Sequence, residues 1–356
     1  MILMARKFDV FCIGKTTIDQ FLILNELTLK YHLDPKTGFL SFKHGEKIDV
    51  EKFEFCLGGN ATNVAVGLAR LGLSAALCSE TGDDEFGLKI GNELAMENID
   101  RSHMVHTKNA PSSFSVIINF KGERTIFMQR MERKHNFQID DISTDYVFLT
   151  SLETEWRKPY LKALELVVKK GSKLAFNPGT LQLSEGKDII LQIVEHTDIL
   201  FVNKEEAEEM VFGHEKRKHR NDIKYIRELM VKLQKMGAKT AVITNGRYGS
   251  HTIDEYGNFY HEGLFPGEVV ERTGAGDAYT SGFLAATILG KSVKESMKWG
   301  AVNSSSVVGK VGAVAGLLRQ DDLIKQSGEA ELSPIEEKSR FHHRLGQAIG
   351  KLRIKY

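Results

Sequence analysis

From residue 146 onward, short unbroken apolar runs alternate with longer stretches in which apolar positions recur at helical spacing. The runs predict strands over residues 146–150, 173–177, 199–203 and 240–244. The periodic stretches predict helices over 160–170, 189–196, 205–212 and 223–236. Strands that are apolar on both faces, separated by amphipathic helices, imply a parallel sheet covered on both sides. A buried strand over 8–13 that closes on Gly14, another over 74–79 and a helix over 86–96 ending near Asn98 extend the same pattern toward the N-terminus. Between these lie pieces of a different kind. Residues 38–42 and 53–57 read as short β segments among charged residues. Residues 113–120 and 124–129 read as two strands joined by Lys121-Gly122-Glu123, a hairpin turn by composition. Such pieces cannot bury a core of their own, so they predict a small sheet lying over the main domain as a lid. The expected fold is therefore α/β: a doubly wound, mostly parallel sheet with helices on both faces and a small β-sheet lid. One domain spans residues 1–330, with lid segments inserted at about residues 17–57 and 108–135.

Beyond these elements, residues 293–308 predict an apolar helix interrupted by Asn303 and serines, and Gly309–Gly316 is a glycine-rich turn suited to the floor of a nucleotide site. Residues 331–356 are basic, with Phe341, Leu345, Ile349 and Leu352 at helical spacing. They predict an amphipathic tail helix that packs on its own domain or on a neighbouring subunit. The basic run 214–220 reads as a solvated loop. A net charge of +1 over 356 residues argues against nucleic acid or membrane surfaces as partners. Cys12, Cys56 and Cys78 are widely spaced in apolar runs, which suits buried free thiols rather than disulfides or metal ligands. Residues 8–13 are too short to span a bilayer and lack the layout of a signal peptide, so a cytoplasmic protein is expected.

Candidate chemistry collects at strand ends and helix starts. Asp19 follows the first strand closely, where a carboxylate can hold substrate hydroxyls or simply be solvated. Gly58-Gly59 precede a helix carrying Asn60 and Asn63 in its first turn, with Ala61, Ala65 and Ala69 on a small face and Gly72 at its end. Those amides can bind hydroxyls in either sense or cap the helix. Glu153, Asn177-Pro178-Gly179, Asn203 to Glu206, and Thr244 to Gly249 place polar residues and glycines repeatedly on one edge of the sheet, as in an active-site rim. Arg130, at the end of the hairpin, can reach an anionic or hydroxylated substrate or form an exposed ion pair. Finally, Thr273-Gly274-Ala275-Gly276-Asp277 opens an apolar helix. The N–H groups of Gly274, Ala275 and Gly276 can hold a phosphate there while Asp277 takes a proton from an attacking hydroxyl. Taken alone, Asp277 reads equally well as a helix cap.

The two glycine motifs, residues 58–63 with Gly72 and residues 273–277 with Ser281-Gly282, resemble those of the ribokinase-like, or PfkB, family of carbohydrate kinases. The resemblance covers roughly residues 8–322. It implies a doubly wound domain with a β lid that often mediates dimerisation, hence a homodimer through the lid. It implies an ATP-dependent kinase for a hydroxymethyl group of a sugar or sugar acid, with Mg²⁺. Asp19, Gly59 and Asn63 would hold substrate hydroxyls, and Glu153 would be a further contact. Asn203 and Glu206 match the family's Asn-x-x-Glu motif, associated with magnesium and phosphate, with Glu206 acting on the metal through water. Thr244, Gly246 and Gly249 look like the nucleotide loop, Asn303 falls where the family approaches adenine, and Asp277 would be the general base. Two departures stand out. Glu271 replaces a common Asp, which leaves monovalent-cation activation open, and Asn60 replaces the Lys of typical ribokinases. A nucleoside kinase of the same family would need an aromatic platform, for which Phe39, Phe42 and Phe114 are candidates. A non-catalytic sensor of a sugar or nucleotide, signalling through the basic tail, is the reading from another class.

Overall fold

The computed structural model describes residues 7–25, 30–121, 123–213 and 221–329. In it the strand Lys7–Ile13 lies between Ala75–Cys78 and Ser143–Thr150 and runs parallel to both. Lys173–Asn177, Ile199–Asn203 and Thr240–Thr244 continue the parallel sheet, and the antiparallel strands Ser250–Ile253 and Phe259–Glu262 complete eight strands. These last two, four residues each, are too short for alternation to mark them in the sequence. The short helix Thr180–Glu185 is likewise unmarked, standing apart from the expected helix at Lys187–Val194.

Alternate residues of the central strands serve opposite faces. Phe11, Ile13, Val147 and Leu149 join a core with Tyr160, Ile189, Tyr225 and Leu229 from the helices Arg157–Lys170, Lys187–Val194 and Ile223–Lys235. Val10, Cys12, Tyr146 and Phe148 join a second core with Ala61, Ala278 and Met297 from Asn60–Arg70, Ala275–Ile288 and Val293–Val308. Burial of both faces explains why these strands read as continuous apolar runs. The chain leaves Lys7–Ile13 for one neighbouring strand and later returns on its other side, so the strand order reverses there. In sheets of this kind ligand crevices lie at such a reversal, outside the carboxyl ends of the strands, which here places one beside Gly14 and Ser151.

The small sheet has the order Glu123–Met128, Phe114–Phe120, Thr17–Leu24, Val50–Gly58. The hairpin pairs antiparallel from Phe120 and Glu123 onward, although Gly122 itself is outside the described residues. Two expectations are corrected. Asp19 lies within a strand rather than in a loop. The 38–42 segment is not part of this sheet: Leu40–Phe42 pairs with Tyr31–Leu33 in a separate ribbon, because the nine-residue strand Val50–Gly58 already fills that edge of Thr17–Leu24. Cys12 and Cys78 are buried free thiols, whereas Cys56, on the small sheet, is only half-buried. The basic run 214–220 and the expected tail helix fall outside the described residues. Among those described, no helix is long and apolar enough to cross a membrane.

Candidate active site

Two helix starts converge above the crevice. The helix Asn60–Arg70 begins at Gly59, at φ 93°, where a Cβ would lie 2.5 Å from Lys15 O. Only glycine lets the loop after the first strand pass so close. The helix Ala275–Ile288 begins at Gly274, at φ 79°, and a Cβ there would overlap Ala313. The helices approach closely because Gly67 faces Ser281 without room for a side chain. Neither start has a side-chain cap, so the polar residues of the first turns meet each other instead. Asn63 Nδ2 donates to Asp277 Oδ2 at 2.8 Å, and Asn60 Nδ2 donates to Oδ1 at 3.3 Å. Asn63 Oδ1 is buried with no protein donor, which leaves an acceptor for a ligand hydroxyl. Desolvation, with a smaller push from the Asp19 charge, raises the Asp277 pKa to about 7 against the opposing pull of the two amides.

On one side of Asp277 the crevice is lined by Asp19, Lys15 and Glu153. Burial raises the Asp19 carboxyl to about 6, while Ser115 and the Lys15 charge work against it. Lys15 Nζ lies 3.3 Å from Glu153 Oε1, which also accepts from Ser113 Oγ at 2.7 Å; Arg133 Nε lies 3.5 Å from Oε2. Lys15 N donates to Ser151 O, and Ser151 Oγ donates to Asn60 Oδ1 at 3.2 Å, so this cluster connects to Asp277 through an unbroken set of polar contacts.

On the other side lies the start of Lys204–Phe212. Asn203 and Glu206 form a reciprocal capping box, with Oδ1 accepting from Glu206 N at 2.8 Å and Oε2 accepting from Asn203 N at 2.9 Å. Burial raises Glu206 to about 7, with the Asp277 charge as the largest Coulombic contribution. Asp277 and Glu206 repel each other, an arrangement that a cation would relieve. Among the described residues, however, no group of three His, Cys, Asp or Glu side chains is set to hold a metal. A metal there would have to bring most of its own ligands. Thr244 ends its strand, Gly246 at φ 50° opens a 3₁₀ turn with free space around it, and Gly249 at φ 77° packs onto Glu262 O. Tyr279 Oη donates to Ser250 Oγ at 2.8 Å and ties this turn to the Asp277 helix.

The hairpin reaches the anion hole from above. Arg272 and Glu123 pair at 3.1 Å, and Arg124 lies 3.9 Å from Glu271, whose buried Oε1 accepts from both N and Oγ1 of Thr273.

The pattern of the pfkB family carbohydrate kinases matches residues 9–320. The chain belongs to that family. A 5-dehydro-2-deoxygluconokinase of Lacticaseibacillus casei is 26% identical over 352 residues, spanning 94% of this chain and the whole of that protein. Among solved structures, the ribokinase of Arabidopsis thaliana complexed with ribose and ATP superposes with a TM-score of 0.72 at 20% identity, covering 92% of this chain and all of that one. A Methanocaldococcus jannaschii nucleoside kinase of the ribokinase family gives 0.71 at 22%, covering 91% and 98%. The latter two establish the ribokinase-like fold.

In this PfkB carbohydrate kinase the residues singled out from the sequence mostly gather in one place: Asp19, Gly59, Asn60, Asn63, Glu153, Glu206 and Gly274 to Asp277. Three do not behave as expected. Asn303 is fully buried, donating to Ala278 O and Ser281 Oγ and accepting from Leu318 N, so both amide hydrogens are engaged in holding two helices and a loop. Arg130 is exposed beyond the strand end, and it is Arg133 that turns inward to Glu153. In the anion hole, Ala275 N is turned back toward Arg272 O at 3.4 Å. The residues missed were Lys15, Ser113, Ser115, Ser151 and Arg133. Lys15 alone carried a signal, standing directly after the glycine that closes the first strand.

Proposed function

We propose that this kinase transfers the γ-phosphoryl group of ATP to a hydroxymethyl group of a sugar acid. Asp277 takes the hydroxyl proton as the oxygen attacks phosphorus, and the bond to ADP breaks. The N–H groups of Gly274 and Gly276, with Ala275 N turned back toward Arg272 O, receive the charge that spreads over the transferred group. The observation that carries this reading is Asp277 itself, fixed through both oxygens by Asn60 and Asn63 at the mouth of a helix start. Asp19 and Asn63 Oδ1 serve the acceptor hydroxyls. Glu206, with Asn203 behind it, lies on the phosphate side, where Mg²⁺ bound to the nucleotide supplies counter-charge; Thr244, Gly246 and Gly249 border the nucleotide. The small sheet acts as the lid, with Glu123 and Arg124 gripping the segment next to the anion hole.

A sugar acid is favoured over a neutral sugar by the relatives named 5-dehydro-2-deoxygluconokinase. A nucleoside is disfavoured because two of the three candidate platforms, Phe114 and Phe42, are engaged with other rings and the third, Phe39, lies open to solvent. Phe114 stacks on Phe86 at 5.1 Å, Phe42 lies against Tyr31, and Phe39 is 71% exposed. A panel of 5-dehydro-2-deoxygluconate, other aldonic and keto-deoxy acids, neutral sugars and nucleosides, read by ADP release, tests the proposal. Turnover that is highest on a sugar acid is the expected result. Preference for nucleosides overturns the acceptor class, and tight binding without any ADP release favours a sensor.

A further inference from the structure

The cluster around Glu153 sets two cations on one carboxylate. Lys15 and Arg133 both approach a single carboxylate, within 3.3 and 3.5 Å, and the guanidinium Nε and one terminal nitrogen of Arg133 have no hydrogen-bond acceptor. Its other terminal nitrogen donates to Pro111 O. Lys15 brings three N–H donors and lies on one Glu153 oxygen, with Asp19 as a further anion that feels its charge, so its ammonium can accept another anionic group without leaving Glu153. The side-chain exposures show where that anion can approach: Arg133 is at 0% and Glu153 at 6%, but Lys15 is at 17%. Arg133 is sealed in and braces Glu153, and Lys15 is the member open to the crevice.

The position of Lys15 is fixed by backbone. Its N–H donates to Ser151 O at 2.8 Å, and its carbonyl lies under Gly59. The ammonium therefore sits on the same loop that borders Asn60, and its charge is felt at Asp19.

We infer that Lys15, seated on Glu153 and backed by Arg133, is the ligand for the acceptor's carboxylate, and so selects anionic sugars over neutral ones. The inference rests on the phosphotransfer reading above and adds to it the group that recognises the acid. A mobile Lys side chain can form one or two charge-assisted hydrogen bonds to a carboxylate without leaving Glu153. The acceptor then spans the crevice, with its acid end at Lys15, its hydroxyls at Asp19 and its hydroxymethyl group at Asp277.

The test compares kcat/KM for 5-dehydro-2-deoxygluconate and for its carboxamide, a neutral analogue of nearly the same shape, in wild type, Lys15→Met and Lys15→Arg. Wild type should prefer the acid by roughly 10- to 100-fold. Lys15→Met should bring the ratio near unity, mainly by raising KM for the acid, and Lys15→Arg should restore most of it. If Lys15→Met alone melts early, Lys15→Gln, which keeps an N–H donor for Glu153 without the charge, should show the same collapsed ratio. An acid-to-amide ratio that survives in Lys15→Met, or no preference in wild type, overturns the inference. If wild type phosphorylates neither compound, the phosphotransfer reading fails. Calorimetric binding of the acid then decides the Lys15 assignment alone, and equal Kd values for wild type and Lys15→Met overturn it.

Discussion

Asp277 concentrates the residue-scale chemistry, because three influences of different sign meet on one carboxyl group. Burial and the Asp19 charge raise its pKa, Asn60 and Asn63 lower it, and the net value is about 7. A general base works ionised, so kcat/KM should be level above pH 7 and fall toward tenfold per pH unit below it. A profile flat down to pH 5.5 would remove Asp277 from that role. Asp277→Asn should lower kcat by roughly 10²- to 10⁴-fold while leaving ATP binding nearly unchanged. Stability follows the opposite sign. A folded pKa above the unfolded value contributes stability that is full below about pH 4 and lost as the pH rises through about 7. Asp277→Asn should therefore be more stable than wild type at pH 8, on the order of 1–3 kcal/mol after allowing for partial exposure, and the gap should close toward pH 4. Melting curves at both pH values check this.

At the scale of the element, the two glycines of the anion hole do different work although they sit two residues apart. Gly274 holds a left-handed φ against Ala313, whereas Gly276 has nothing within 4 Å of a Cβ position and is exposed. Gly274→Ala should cost about 1–3 kcal/mol in unfolding free energy together with activity. Gly276→Ala should keep the melting temperature and lose activity alone, about tenfold or more, by placing a methyl group where the phosphates approach. Loss of stability in Gly276→Ala, or full activity in Gly274→Ala, would contradict the assignment. Legibility at this scale was uneven for a physical reason. Lys173–Asn177, Ile199–Asn203 and Thr240–Thr244 agree with the sequence residue for residue because each is a mostly buried apolar run bounded by polar or glycine residues, and Val293–Val308 agrees because the Ser292–Glu295 capping box starts it and Gly309 ends it. The strand carrying Asp19 was not read as one, since Asp19 and Gln20 interrupt its apolar pattern.

Across the whole molecule the small sheet has two unlike faces. Asp19, Cys56 and Ser115 are in register on the side of the anion hole, and a Cβ at Gly312 would come 2.7 Å from Cys56 Sγ. On the other face Phe53, Leu22 and Ile118 form one cross-strand row, and Phe55, Gln20, Val116 and Phe127 form another. There Phe53 and Phe127 remain 59% and 55% exposed. An apolar sheet face of this kind asks for a cover, and a second copy of the chain is the expected one. Sedimentation should give a dimer at micromolar concentration, and Phe53→Lys with Phe127→Glu should give a folded monomer. A monomeric wild type would contradict it.

The sequence by itself determined the layered α/β fold and the position of the glycine turn that opens the Asp277 helix. Both follow from local properties, namely hydrophobic period and the backbone freedom of glycine. It also marked Asp277, as a cap when taken alone and as the base through the family resemblance. Only tertiary structure brought Asn60 and Asn63, more than two hundred residues along the chain, to its carboxylate. The same long-range packing engaged Asn303, turned Arg133 rather than Arg130 inward and set Lys15 on Glu153. Which polar groups face one another across a crevice depends on helices and strands distant in sequence, and no local spacing records it.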